Sequence, residues 1–183
     1  MNQASSSYAQ GPTDRPLLDL TIGALLDRAV QLYPDNDALV SRHQGLRYSY
    51  REFLAEVEQC ARALLAIGLK KGDRIGIWSP NYAEWSILQF GSSKIGAILV
   101  NINPSYRVHE LEYALQLTGC SALVIATQFK TSNYADMLRE LAPELDHCAP
   151  GQLQSQRLPE LKSVIRLGDE AQPGLWRWQD FMR

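Results

Sequence analysis

The residues of this chain that could do chemistry are few and lie far apart. None of the three histidines, His43, His109 and His147, pairs with a second ligand at the spacing of a zinc site. His109 and Glu110 are adjacent and could serve as an acid and a base. A solvent-facing first helical turn is the competing interpretation, and we prefer it because the helix dipole favours a glutamate there. The sequence therefore predicts no metal site and no catalytic residue.

Motifs that bind phosphate or carry a nucleophile are also missing from the sequence. The chain has neither a GxxxxGK[ST] loop nor a GxGxxG turn, the two glycine-rich patterns that cradle phosphates. It has no GxSxG elbow, the turn that presents a nucleophilic serine in many hydrolases. We therefore predict no cofactor-binding residue. A nucleotide-binding protein with a degenerate site stays open as an alternative.

One loop keeps a possible role in ligand binding. Asn103, Tyr106 and Arg107 follow a predicted strand over residues 98–101. Ligands of open α/β sheets bind beyond the carboxyl ends of the strands, which is where this loop would lie. A plain connecting loop is the competing interpretation. These three residues are the candidate substrate contacts.

Residues 72–107 are the stretch around which the rest of the chain is organised, and this loop is its last part. The apolar run 73–78 predicts a buried strand, and Asn81 with Glu84 three residues later predicts the start of a helix that reaches about Ile95. Together with the strand at 98–101 they make a βαβ unit, which implies parallel strands and a right-handed crossover. The small residues of the helix, such as Gly91, predict close packing against the sheet.

Helices and strands alternate along most of the remaining chain. Ser49 and Glu52 form a capping box that starts a helix running to about Ile67. Alternating elements of this kind predict an α/β fold with a layered, mainly parallel sheet and helices on both faces, preceded by a helix–hairpin–helix segment. The other predicted elements are helices over 17–33, 110–117, 133–141 and 175–182, a hairpin over 38–48, and strands over 122–126 and 163–167.

The amino-acid composition of the chain excludes some classes of binding partner. The chain has 183 residues, 45% of them hydrophobic, and a net charge of −2 without any block of lysine or arginine, so nucleic acid is not expected as a partner. No apolar run approaches the roughly 20 residues that span a bilayer. Residues 1–16 have no signal-peptide pattern and predict a disordered tail. The cysteines Cys60, Cys120 and Cys148 fit no disulfide or zinc spacing, which favours a reducing, cytoplasmic location.

Three short runs carry a resemblance to a known family. They are Leu46–Leu54, then Gly68–Ile75 with Asn81 and Glu84 after it, then Gly96 through Pro104 followed by Glu110-Leu111. In this order and at these intervals the sequence resembles the N-terminal part of the acyl-adenylate-forming enzymes, in particular the medium- and long-chain fatty acyl-CoA ligases.

The resemblance implies an ATP-dependent ligase that works in two half reactions. A carboxylate, from a fatty or other carboxylic acid, attacks the α-phosphate of ATP, and the thiol of coenzyme A then displaces AMP from the acyl-adenylate. Such chemistry requires groups that hold the phosphates and a carboxylate that holds Mg²⁺. ATP, Mg²⁺ and coenzyme A are therefore implied for a full-length enzyme.

The sequence departs from the family in lacking its nucleotide site. The phosphate loop that ends in P-K-G, the Thr-Glu metal motif, the ribose-binding Asp and the C-terminal Lys are all absent. We therefore expect the N-terminal part of a ligase, inactive alone and without a bound cofactor. The resemblance implies that residues 17–71 belong to an incomplete subdomain and residues 72–183 to a parallel α/β subdomain. The alternative is a self-contained α/β module that binds a partner or self-associates through apolar helix faces.

Overall fold

The computed structural model describes residues 7, 10–14 and 16–183. Most of the predicted tail, residues 1–16, lies outside this described part of the chain. Residues 16–20 have no regular secondary structure, and helix α1 spans Ile22–Leu32, five residues shorter at its start than predicted. Thr21 explains the later start, because its hydroxyl oxygen accepts a hydrogen bond from the Ala24 amide at 3.1 Å and so caps the helix.

The hairpin and the capped helix that follow agree with the prediction. Strands β1 (Asp37–Ser41) and β2 (Leu46–Ser49) pair antiparallel, and helix α2 covers Tyr50–Ala66. Ser49 and Glu52 make both bonds of the capping box, at 3.3 Å from the Glu52 amide and 2.8 Å from the Ser49 amide. This helix start could be predicted because every group in it is local.

Five parallel strands form the main sheet, in the order β4-β3-β5-β8-β9. This confirms the predicted α/β class. The main-sheet strands are β3 (Arg74–Trp78), β4 (Ile98–Ile102), β5 (Ala122–Ile125), β8 (Ser163–Arg166) and β9 (Leu175–Arg177). Between these strands in the sequence lie β6 (Gln128–Phe129), β7 (Ser132–Asn133), the helices α3 (Ala83–Ile95), α4 (Val108–Thr118) and α5 (Tyr134–Leu141), and a 3₁₀ helix (Pro143–His147). Helix α6 (Trp178–Phe181) follows β9.

Two hydrophobic cores lie on the two faces of the sheet. Alternate residues of β5 point to opposite faces, so that Leu123 joins the core beneath α4 and α5 whereas Val124 joins the core beneath α2 and α3. The second core also contains Leu26 of α1 and Phe53 of α2. The helix–hairpin–helix segment therefore shares a core with this face of the sheet and packs on α3.

Three predicted details were wrong. Residues 175–182 begin as a strand, because Leu175 pairs with Val164 at the edge of the sheet, and only residues 178–181 are helical. Helix α3 begins at Ala83, after Tyr82, so Asn81 is not its cap. The close packing at Gly91 is made with helix α2, not with the sheet, since a β-carbon at residue 91 would lie 2.9 Å from Cys60 Sγ.

Cys60 lies on the buried face of α2. The residue is completely inaccessible to solvent, and this burial raises the pKa of its thiol to about 12. A thiol with so high a pKa is protonated and unreactive at neutral pH. Cys60 is therefore part of the packing between the helices.

Candidate functional site

The candidate site is the edge of the sheet where the parallel strands end. From β3 the chain passes through α3 to β4, which pairs with one edge of β3. It then passes through α4 to β5, which pairs with the other edge of β3. The order of strands therefore reverses between β4 and β5, with β3 between them. Crevices outside the carboxyl ends of strands at such a reversal are where open α/β sheets bind ligands.

Three cavities open at or beside this edge. One of about 450 Å³ lies beyond β3 and β4, and one of about 260 Å³ lies beyond β5 and β8. A third of about 400 Å³ separates the β1–β2 hairpin from the start of α3. Tyr82 lines the second and third cavities, and its neighbour Asn81 lines the first and third. The turn between β3 and α3 thus stands at the centre of the edge.

Gln44, at the tip of the hairpin, fixes this turn from outside the sheet. Its side-chain oxygen accepts hydrogen bonds from the Ala83 amide at 2.8 Å and from the Ser41 hydroxyl at 2.6 Å. Its side-chain nitrogen donates to Glu84 Oε2 at 2.8 Å. Gln44 thus supplies the cap of α3 that Asn81 was predicted to provide. Sequence reasoning missed it because the two partners are 39 residues apart.

Aromatic side chains pack behind and beside the edge. The rings of Trp78 and Tyr134 are stacked, with centroids 3.8 Å apart and planes inclined by 21°. His43 of the hairpin meets Tyr82 edge to face at 5.3 Å. Burial, with a smaller contribution from Tyr82, raises the pKa of Tyr134 to about 12, so its hydroxyl stays protonated at neutral pH. The stack of Trp78 and Tyr134 is therefore apolar, and its two polar groups, the indole N–H and the protonated hydroxyl, are uncharged donors.

The three predicted substrate contacts lie together in the loop beyond β4. Asn103 lines the 450 Å³ cavity, and its Oδ1 accepts a hydrogen bond from the Ser105 amide at 2.9 Å. Tyr106 and Arg107 are exposed. The side-chain oxygen of Asn103 is thus engaged within the loop, whereas the other two side chains are open to solvent.

Arg107 supplies the positive charge of this loop. Its Nη1 donates to Ser132 Oγ in the turn between β6 and β7, at 2.6 Å. Within the described part of the chain no carboxylate lies at ion-pairing distance from its guanidinium. His109 and Glu110 occupy the exposed first turn of α4, and Glu110 accepts a hydrogen bond from the Arg107 amide at 3.0 Å. Arg107 can therefore still bind an anion.

Residues 7, 10–14 and 16–183 contain neither a metal-binding cluster nor a membrane-spanning helix. No group of three or more His, Cys, Asp or Glu side chains there could hold a metal ion. No helix among these residues combines the length and apolar character that crossing a bilayer requires. The carboxyl edge is thus a set of crevices, and Arg107 lies in the loop beside it without an ion-pair partner among these residues.

Comparison with known proteins gives consistent matches. The family model for AMP-binding enzymes matches residues 26–179. Medium-chain acyl-CoA ligase ACSF2, mitochondrial, of Danio rerio is 43% identical over 179 residues, which are 98% of this chain and 29% of that protein. The protein of the same name from Mus musculus is 45% identical over 168 residues, or 92% of this chain and 27% of its own length.

Solved structures match in fold. The anthranilate CoA ligase AuaEII, in complex with anthranoyl-AMP, superposes with a TM-score of 0.74 at 23% identity, covering 93% of this chain and 29% of that one. The chain therefore spans less than a third of the length of the proteins named here.

Proposed function

The chain belongs to the AMP-binding enzyme family, and from this premise we propose that it forms the N-terminal part of an ATP-dependent acyl-CoA ligase. One observation carries the proposal: 43% identity to an acyl-CoA ligase across nearly the whole chain. The complete protein would join a carboxylate to AMP and then transfer the acyl group to coenzyme A. Because the relatives are named medium-chain ligases, a medium-chain fatty acid is the proposed substrate.

The contribution proposed for this chain is structural support and one ligand-contacting loop. Residues 72–183 contain all five strands of the parallel sheet, which supports treating them as one subdomain. Residues 17–71 would be a segment of a second subdomain, attached through the packing of α2 on α3. Mg²⁺ belongs to the proposal only at the level of the whole enzyme. No step is assigned to it, because no cluster in the described residues fits a metal ion.

Asn103, Tyr106 and Arg107 are the proposed ligand contacts. Their position beyond β4, together with the unpaired charge of Arg107, supports this role. An exposed arginine without an ion-pair partner is suited to a phosphate or carboxylate, since its planar group can donate two parallel hydrogen bonds. ATP and coenzyme A both carry such phosphates.

A cytoplasmic location is proposed on the basis of the cysteines. Cys60, Cys120 and Cys148 are all free thiols, and two of them are buried. Free thiols fit a reducing compartment. The mitochondrial relatives make fractionation of cells that express the protein a necessary test, and recovery in the mitochondrial fraction would overturn this assignment.

The first test of the proposed function is the coding sequence beyond Arg183. We expect a Gly-, Ser- and Thr-rich run that ends in P-K-G within about 40 codons, because such a loop would supply the backbone N–H groups that hold ATP phosphates. The second test is carboxylate-dependent exchange between ATP and pyrophosphate. The longer protein should catalyse it with octanoate, and the 183-residue chain alone should not. Exchange by the short chain would contradict the proposal.

The exposed face of α1 favours a second candidate function, that of a self-associating module. Leu17 and Leu18, just before the helix, are 97% and 57% exposed, and Ile22 and Leu25 on the helix are 51% and 44% exposed. Large apolar side chains exposed close together in the sequence are suited to an interface. Sedimentation at several concentrations should show whether a second copy covers this face, with Leu25→Glu as the disrupting variant. A chain that ends at Arg183 in the cell and dimerises would favour this function over the ligase.

A further inference from the structure

Two aromatic residues beneath the candidate loop have polar atoms that reach its backbone. Trp78, at the end of β3, and Tyr134, the first residue of α5, are stacked and completely buried. The Trp78 indole nitrogen donates to the Asn103 carbonyl oxygen at 3.1 Å, and the Tyr134 hydroxyl donates to the Pro104 carbonyl oxygen at 2.6 Å. Two successive carbonyls of the loop are thus held by one rigid stack.

The contacts continue from these carbonyls to the arginine. The Tyr106 amide donates to the same Asn103 carbonyl at 3.0 Å, which closes a tight turn. The Arg107 amide is held by Glu110, and its guanidinium by Ser132. Hydrogen bonds therefore connect the buried stack to the backbone that carries Arg107, whose remaining guanidinium N–H groups face solvent.

Such a stack is suited to fixing position. Stacked aromatic rings have few alternative rotamers once they are buried, and close-packed interiors resist small displacements. A side chain that meets a ligand at hydrogen-bond distance loses much of its effect when it moves by about 1 Å. The position of Arg107 thus depends on atoms that no ligand could touch, because both rings are inaccessible to solvent.

We propose that Tyr134 and Trp78 are positioning residues that hold Arg107 for a phosphate-bearing ligand. This inference rests on the proposed ligase function, and it goes further by assigning a role to two buried residues of the scaffold. The ligand class is a nucleotide phosphate, supplied either by ATP or by the nucleotide part of coenzyme A. The experiment separates these two sources.

The test uses the full-length enzyme and the Tyr134→Phe variant, which keeps the stacked ring and removes only the hydroxyl. We expect the KM for one of the two substrates, ATP or coenzyme A, to rise about fivefold, as for the loss of one hydrogen bond, while kcat stays within about twofold. Trp78→Phe, which removes the indole donor, should raise the KM for the same substrate. Tyr113→Phe is the matched control, because Tyr113 is 66% exposed on α4.

Coupling to Arg107 distinguishes positioning from a general loss of stability. Arg107→Ala should raise the KM for the same substrate by more than Tyr134→Phe does. Adding Tyr134→Phe to Arg107→Ala should then cost little more, because the group being positioned is already gone. Fully additive effects, a KM unchanged in Tyr134→Phe, or a loss of kcat with both KM values rising together would overturn the inference.

A readout independent of activity separates this inference from the proposed function. Amide hydrogen exchange at residues 105–107 should become faster in Tyr134→Phe than in the wild type and remain unchanged in Tyr113→Phe. If the wild-type enzyme forms no acyl-CoA, the ligase proposal fails, and the exchange measurement still tests whether the stack orders the loop. Unchanged exchange at these amides would overturn the positioning role whatever the enzyme does.

Discussion

Gly91 and Cys60 meet so closely that helices α3 and α2 leave no space for another carbon between them. A β-carbon at residue 91 would stand 2.9 Å from Cys60 Sγ, 3.1 Å from Cys60 Cβ and 3.4 Å from the Ala61 amide nitrogen. Contacts below 3 Å between such atoms are strongly repulsive, and here the backbone of α2 limits the relief that a change of rotamer could give. The sequence predicts tight packing at Gly91, and the structure identifies its partner.

Gly91→Ala should therefore destabilise the protein. Overpacking of a buried contact costs about 1–3 kcal/mol, and the better helix propensity of alanine returns up to about 1 kcal/mol of that. We expect a net loss of about 1–2 kcal/mol in the free energy of unfolding, measured with urea. In a Cys60→Ala background the same change should cost much less, because the sulfur atom is gone. A Gly91→Ala variant as stable as the wild type would show that the helices can separate freely.

The hairpin tip should contribute stability through Gln44. In Gln44→Ala the buried start of α3 loses the acceptor of the Ala83 amide, and an orphaned amide at a helix start costs about 1–2 kcal/mol. Urea unfolding would show this loss. Gln31→Ala, at an exposed position of α1, is the control and should leave stability unchanged. Equal effects of the two variants would mean that solvent replaces Gln44 as the cap.

These two cases show what the sequence could and could not predict. The Ser49–Glu52 capping box and the strand β3 rest on neighbouring residues, so their patterns are complete in the local sequence. The cap of α3 comes from a glutamine 39 residues away, and β9 exists because three residues pair with the edge of β8. No local pattern encodes such partners.

In the candidate site, too, the features that depend on neighbouring residues could be predicted and those that depend on distant residues could not. The loop beyond β4 could be located from the sequence, since the βαβ pattern places it at the carboxyl edge. The stack of Trp78 on Tyr134 could not, because 56 residues separate them and each alone is typical of an ordinary core aromatic.

Lys94 should stabilise the junction of three helices in a salt-dependent way. Its Nζ lies 2.6 Å from Asp27 Oδ1 of α1 and 3.7 Å from Glu58 Oε1 of α2, and its side chain is only 17% exposed. We expect Lys94→Met to lower the free energy of unfolding by about 1 kcal/mol at low salt, and by less at about 0.5 M NaCl.

The matched control for Lys94 is a pair on the open surface. Arg51 and Asp35 lie 3.1 Å apart, with side chains 67% and 83% exposed, so Arg51→Met should have almost no effect at either salt concentration. If Lys94→Met also left the free energy of unfolding unchanged, the ion pairs of Lys94 would not stabilise the junction, and the apolar contacts of α1 alone would hold it.

The ion pair of Glu112 and Arg157 should make the free energy of unfolding depend on pH in the acidic range. Arg157 donates to both carboxylate oxygens, at 2.8 and 2.6 Å, and this pairing lowers the pKa of Glu112 below its usual value. Since the pKa in the folded protein is the lower one, the unfolded chain takes up the proton first as the pH falls. The stabilising contribution is therefore complete above the unfolded pKa of roughly 4.3 and is lost below it.

Glu112→Gln should remove this dependence. The difference in unfolding free energy between the wild type and the variant should be constant from about pH 7 to pH 6, and should shrink as the pH falls through about 4. Glu160→Gln, at an exposed position in the adjoining loop, is the control and should follow the wild type throughout. A difference that stayed constant down to about pH 3 would mean that the carboxylate of Glu112 contributes packing and not charge, because only a charged partner loses its effect when the proton binds.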